Sequence, residues 1–376
     1  MRFTNHTMQE ALRLVKAGDL QAATQAIQRS LREQGESTRR DPSGTSADIE
    51  GTYRVVPEPS AAAEPAPRTA EPVRPDAGVG PGGEFRDHHF KCDTGALRYK
   101  LFIPHGLRDA APPLLVMLHG CTQSPDDFAR GTRMNALAQE QGYVVAYPAQ
   151  SQRNNANRCW NWFRGEDQRR GQGEPASIAA LARDLVASRG LDERRVYVAG
   201  LSAGGAMAAV LASLYPDVFA AIGVHSGLPF GVAHDLPSAF TAMKHAAGGC
   251  AAGETARNNA VPAIVFHGDR DTTVDHRNGA AVIAQFRGVA GTADGAEARA
   301  ARATVEAGSV PGGRSYTRTI HTNPDGCIVA EHWVVHGAGH AWSGGDPKGS
   351  FTDRSGPDAS KQMLRFFSAC VRVAAD

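Results

Sequence analysis

Gly200-Leu201-Ser202-Ala203-Gly204 fits G-x-S-x-G, the pattern of a serine held on a sharp turn between a strand and a helix. Its context suits that geometry. Arg195-Val196-Tyr197-Val198-Ala199 precedes it as a strand, and Gly205-Ala206-Met207-Ala208-Ala209 continues as a helix of small residues able to pack closely. The start of that helix supplies free N–H groups and the positive end of a dipole. Ser202 is therefore expected to be a nucleophile. A structural Gly-rich turn is the alternative.

A serine nucleophile needs a base, and the base needs an orienting acid. In this strand–turn–helix context the chain order is Ser, Asp/Glu, His. The apolar run Ala263–His267 leads into Gly268-Asp269-Arg270-Asp271-Thr272-Thr273-Val274-Asp275. Acids just past a strand's carboxyl end lie on the functional edge of an α/β sheet. Asp269 falls in the tight turn, where Asp commonly bonds its own backbone. Asp275 suits a helix start. Asp271 is the expected acid, with Asp269 the main alternative.

His332, His336 and His340 are spaced by four, which on a helix would align three imidazoles for a metal. Trp333-Val334-Val335 favours a strand instead, Gly337 and Gly339 would break any helix beyond it, and no H-E-x-x-H is present. No metal and no cofactor is expected. His340, in a Gly-rich loop beside Ala341 and Trp342, is the expected base. The tetrahedral intermediate of acyl transfer needs an oxyanion hole. The backbone N–H of Ala203 is one expected donor. Leu114–Leu118 runs into His119-Gly120-Cys121-Thr122-Gln123, and the second donor is expected to be the N–H of Cys121, with Thr122 as the alternative. His119 reads as a structural hydrogen bonder.

Positioning these groups requires alternating strands and helices. Strands are expected at His88–Cys92, Leu97–Ile103, Leu114–Leu118, Tyr143–Tyr147, Val196–Ala199, Phe219–Val224, Ala263–His267, Ser315–His321 and Ile328–Val335. Helices are expected at Met134–Gln141, Ile178–Arg189, Ala203–Leu214, Val274–Phe286 and about Pro357–Val371. The rhythm predicts an α/β fold with a mostly parallel sheet covered on both faces.

Leu118–Gln123, Cys159-Trp160-Asn161-Trp162-Phe163, the Ser202 turn, His267–Val274 and Gly337–Trp342 together resemble the polyhydroxybutyrate depolymerase family of α/β-hydrolase esterases. The related feruloyl and acetylxylan esterases share much of this pattern. The resemblance covers about Glu84 to the C-terminus. It implies a metal-free serine esterase acting on short-chain hydroxyalkanoate polyesters or oligomers, with a feruloyl or acetylxylan esterase as the alternative. It also implies a disulfide between Cys121 and Cys159. Trp342, Trp160 and Trp162 are expected to line the substrate groove, because flat apolar side chains suit an uncharged chain of methyls and carbonyls. Core burial is the competing reading, favoured for one of Trp160 and Trp162.

Composition closes off other classes. The chain has 376 residues, with 40 Lys+Arg against 39 Asp+Glu and a net charge of +1. That balance argues against a nucleic-acid surface, which needs a basic excess. No apolar run approaches the ~20 residues of a membrane span. Nothing suggests the charged pocket of a peptidase, and the three residue types in order argue against a binding module without catalysis. Residues 1–34 read as a helical hairpin, with Leu12 and Val15 on one face and Leu20, Ala23, Ile27 and Leu31 on the next. The hairpin is expected to dock on the main domain, on a second copy or on an apolar granule. Residues 35–83, rich in Pro, Ala and Gly, read as a disordered linker. The catalytic domain is expected over 84–376. Residues 1–31 lack an apolar run before a small-residue cleavage site, which favours a cytoplasmic protein; extracellular members of the family supply the alternative.

Overall fold

A computed structural model describes residues 83–246, 261–287 and 302–372. The expected hairpin, nearly all of the linker, and Cys250 lie outside the described residues.

The first strands, β1 (Gly83–Cys92) and β2 (Gly95–Pro104), form an antiparallel hairpin. Next come β3 (Leu114–Leu118), helices α1 (Pro125–Thr132) and α2 (Met134–Gln141) and strand β4 (Val144–Ala149). Helix α3 (Gly173–Arg189) leads to β5 (Val196–Leu201), α4 (Ala203–Leu214), β6 (Ala221–His225) and α5 (Leu236–Lys244). Beyond these lie β7 (Ala263–Gly268) and α6 (Arg277–Phe286). The chain ends with β8 (Arg302–Ser309), β9 (Ser315–Thr322), β10 (Ile328–Val335), the short pair β11 (Trp342–Ser343) and β12 (Thr352–Asp353), and α7 (Ala359–Ser368).

The main sheet has the order β1-β2-β4-β3-β5-β6-β7-β10-β9-β8. Its centre, β4 to β10, is parallel, and both flanks are antiparallel. The central strands are apolar without alternation because helices cover both faces. Every residue of Leu114–Leu118 is fully buried, and each such side chain contributes about 1.5–3 kcal/mol of burial free energy. One core layer holds Met207, Val210 and Leu211 of α4 with Ile178, Leu181 and Leu185 of α3; the other holds Met363, Phe366 and Phe367 of α7 with Phe128 of α1.

Expected strand and helix positions agree with these elements, with ends shifted by a few residues. Five of these elements were not anticipated: α1, α5, β8 and the short pair β11 and β12. Helix α1 buries Pro125, Phe128, Ala129 and Thr132 at helical spacing, but Phe128 is its one large apolar side chain, so the sequence marks this stripe weakly. Its signature is local: the Ser124 side chain accepts the Asp127 N–H, and Pro125 opens the first turn. Helix α5 is likewise fixed by its start, an Asp235–Ser238 capping box. Strand β8 is almost wholly exposed at the sheet edge, so no core pattern marks it.

Candidate active site

The carboxyl ends of β5, β6, β7 and β10 lie side by side, and the expected catalytic residues stand just past these ends. Ser202 sits between β5 and α4 with φ 57° and ψ −118°, outside the regions that a side-chain-bearing residue ordinarily occupies. The turn closes only because its flanks are bare. A Cβ at Gly204 would come within 2.1 Å of the Leu118 carbonyl oxygen, and one at Gly200 within 2.3 Å of Gly204. The Ser202 N–H donates to the His225 carbonyl (2.9 Å), which anchors the turn to the end of β6.

His340 and Asp271 are brought together. The His340 Nδ1 lies 2.7 Å from Asp271 Oδ2, with the carboxylate fully buried and the imidazole 12 % exposed. A neutral imidazole bonded this way carries its proton on Nδ1 and keeps the Nε2 lone pair. Asp271 collects further donors. Its Oδ1 accepts the N–H groups of Thr273 and Val274, both at 2.9 Å, and its Oδ2 lies 3.4 Å from His267 Nε2. Burial opposes the charge on Asp271. The hydrogen bonds from His267 and His340 and the Val274 N–H outweigh it and hold the carboxyl well below the usual carboxylate range.

The rival acid has another partner. Asp269 accepts from His336 Nδ1 (2.9 Å) and from the Gly337 N–H (2.7 Å), so it braces the loop that carries His340. Asp275 caps Arg277 at the start of α6, as its position suggested. His332, His336 and His340 diverge. His332 Nε2 is buried with no hydrogen-bond partner among the described residues, His336 faces Asp269, and His340 faces Asp271. Among the described residues no group of three or more His, Cys, Asp or Glu side chains is arranged to hold a metal.

On the other side of Ser202, the Thr122 N–H donates to the Asn157 carbonyl at 2.7 Å. That removes Thr122 as an oxyanion donor. The N–H groups of Cys121 and Ala203 enter no hydrogen bond among the described residues. Cys121 and Cys159 are joined by a disulfide, with Cα atoms 4.2 Å apart, as the resemblance implied. His119 is structural: its Nδ1 donates to the Gly120 carbonyl (2.8 Å) and its Nε2 accepts the Gln150 N–H (3.1 Å). Burial drives its pKa down to about 4, which keeps it in that neutral form.

The tryptophans require a correction. Trp342 is 1 % exposed, packs against Phe128 and His225, and donates its indole N–H to Ser360 Oγ (3.0 Å). Trp160 is fully buried against His119, and Trp162 is 5 % exposed. All three are core residues and none offers a face to a groove. Adjacency to His340 in sequence was misleading because β11 turns inward immediately after the loop.

Sequence reasoning missed two residues that hold this edge. His225 is buried, and its Nε2 accepts the Ser343 N–H (2.9 Å), tying the loop after His340 to the strand beside Ser202. Burial, then the charges of His267 and His340, lower its pKa to about 3, so it remains a neutral acceptor. Its signal was its place at the end of Phe219–Val224. The other is Gln123, buried in the loop after β3, whose Oε1 accepts the Gly120 N–H at 2.9 Å.

Residues 97–309, more than half of the chain, match the family described as esterase PHB depolymerase. The chain belongs to this family. The match spans Ser202 and Asp271 and ends before His340. The chain is 34% identical over 261 residues to a poly(3-hydroxyalkanoate) depolymerase C from Paucimonas lemoignei, covering 67% of this chain and 60% of that protein. It is 35% identical over 140 residues to a feruloyl esterase B from Thermothelomyces thermophilus, covering 37% of this chain and 47% of that one. The chain thus covers less than two thirds of either relative's own length. An acetyl xylan esterase from Aspergillus awamori superposes with a TM-score of 0.59 at 20% identity, over 76% of this chain and all of that one, which shows a shared α/β-hydrolase fold.

Proposed function

We propose that this chain is a serine carboxylic ester hydrolase. Ser202 is the nucleophile, His340 the general base and later acid, and Asp271 the group that orients and stabilises the imidazole. The N–H groups of Cys121 and Ala203 receive the oxyanion. The observation that carries this reading is the Asp271–His340 hydrogen bond on the same sheet edge as the strained Ser202 turn. His340 Nε2 takes the Ser202 proton as Oγ attacks the ester carbonyl. The tetrahedral intermediate collapses to an acyl-enzyme as the alcohol leaves with that proton. Water, deprotonated by His340, then releases the acid.

The substrate proposed is a short-chain polyhydroxyalkanoate, poly-3-hydroxybutyrate or its oligomers. The family and the Paucimonas lemoignei relative support it; the buried tryptophans do not. A feruloyl or acetylated-sugar ester is the second reading, favoured by the 35% identity to the feruloyl esterase. The Cys121–Cys159 bridge supports an oxidising compartment over the cytoplasm. Turnover should be compared on amorphous polyhydroxybutyrate, hydroxybutyrate oligomers, methyl ferulate and acetylated xylan. Hydroxybutyrate esters are expected to be cleaved fastest, and activity confined to feruloyl or acetyl esters would replace the first reading by the second.

A further inference from the structure

The N–H of Cys121 can stabilise an oxyanion only if its peptide plane is held at one angle, and that plane is shared with the Gly120 carbonyl. The carbonyl is bound by His119 Nδ1 (2.8 Å) and the Gln123 N–H (3.3 Å). The N–H of Gly120 itself donates to the side-chain Oε1 of Gln123 (2.9 Å). The other end of the same carboxamide reaches a different loop. Its Nε2 lies 3.1 Å from the Ser350 carbonyl, 3.2 Å from Ser350 Oγ and 3.0 Å from Asp127 Oδ2.

We propose that Gln123 is a positioning residue, its carboxamide fixing the Cys121 N–H relative to the loop beyond His340. The inference rests on the roles proposed for Ser202, Cys121 and His340. Ser350 lies in the connection between β11 and β12, and the Phe351 carbonyl accepts the Trp342 N–H at 2.7 Å, two residues past His340. One side chain therefore joins the oxyanion loop to the base loop across 227 residues of sequence. Only an amide fits both ends. The Gly120 N–H requires an acceptor and the Ser350 carbonyl requires a donor, which also sets the orientation of the carboxamide. Gln123 is 3 % exposed, so water cannot replace either bond cheaply. Asp127 completes the clamp, since its carboxylate also accepts the Ser350 N–H (2.9 Å) and the Ser350 hydroxyl.

Gln123→Met keeps the bulk and removes both bonds. Gln123→Glu keeps the shape but sets a carboxylate against Asp127 and the Ser350 carbonyl. Steady-state kinetics on p-nitrophenyl acetate and p-nitrophenyl butyrate, with circular dichroism melts, test the role. Losing one oxyanion donor costs about 10²–10³-fold in kcat, and a mis-aimed donor should cost up to that. The expected result is a fall in kcat of about 10²-fold in both variants with KM within about threefold. Affinity for a boronic acid that adds to Ser202 should fall by the same factor as kcat/KM. Either variant folded with kcat near wild type overturns the proposal. So does a loss carried by KM alone, or a failure of both variants to fold, because a positioning role leaves the fold standing. A wild-type protein inactive on every ester would instead break the reading on which the inference rests.

Discussion

Asp271 and Asp269 each hydrogen-bond a histidine of the segment that follows β10, and water reaches the two pairs unequally. Asp271 and His340 are 2.7 Å apart, with side chains 0 % and 12 % exposed; Asp269 and His336 are 2.9 Å apart, at 31 % and 40 %. The contact is nearly the same, but the surroundings differ. An exposed ion pair contributes about 0–1 kcal/mol because solvent screens it. The buried carboxylate must be held ionised by protein donors, and Asp271 gathers two imidazoles and two backbone N–H groups for that purpose. Burial therefore distinguishes the acid suited to orienting a base from the acid that braces a loop.

The comparison is broken most directly by amidation of each acid. On the proposed mechanism, Asp271→Asn should lower kcat by about 10⁴-fold, as loss of the orienting carboxylate does in serine proteases. Asp269→Asn should cost less than about tenfold and leave KM unchanged, since the Gly337 N–H can still find an acceptor. Kinetics on a soluble ester decide the ranking, and its reversal would exchange the two roles.

The seal around Asp271 and His340 can also be weakened from the core. Trp342→Ala should destabilise the fold by about 3–5 kcal/mol, the usual cost of emptying a buried tryptophan site. Because Trp342 is enclosed, any loss of turnover should be the same on hydroxybutyrate oligomers and on a small ester. A selective loss on oligomers, measured beside urea unfolding, would restore Trp342 to the groove.

A third carboxylate sharpens the contrast. Asp167 is buried without a cation partner among the described residues, and burial, with the nearby Glu174 charge second, raises its pKa to about 7. The unfolded chain releases this proton near pH 4 and the folded protein near 7, so stability is lost as pH rises between them. Asp167→Asn should abolish that loss: its melting temperature relative to wild type should rise from pH 4 to pH 7. A difference independent of pH would show that Asp167 folds already ionised.

Much of this architecture was legible in the sequence. The Ser202 turn and the central strands are local patterns, marked by small residues at fixed spacing and by unbroken apolar runs such as Leu114–Leu118. The choice between Asp269 and Asp271 was only partly legible, because two residues of spacing separate them while the deciding quantity is solvent access. Thr122 could not be excluded until Asn157 was seen to occupy its N–H. The tryptophans misled because an aromatic near a site in sequence says nothing of which way its strand turns. Gln123 stands in a loop that the sequence marks, but its partner Ser350 lies far along the chain and no local pattern announces it.

The central claim is that Ser202 is the one activated hydroxyl of this edge. Treatment of the wild-type protein with a fluorophosphonate, then intact-mass measurement and peptide mapping, tests it most directly. The account predicts a single adduct on Ser202, with hydrolysis lost in step, and neither label nor turnover in a folded Ser202→Ala variant. Label on another residue, or normal ester hydrolysis by Ser202→Ala, would contradict it.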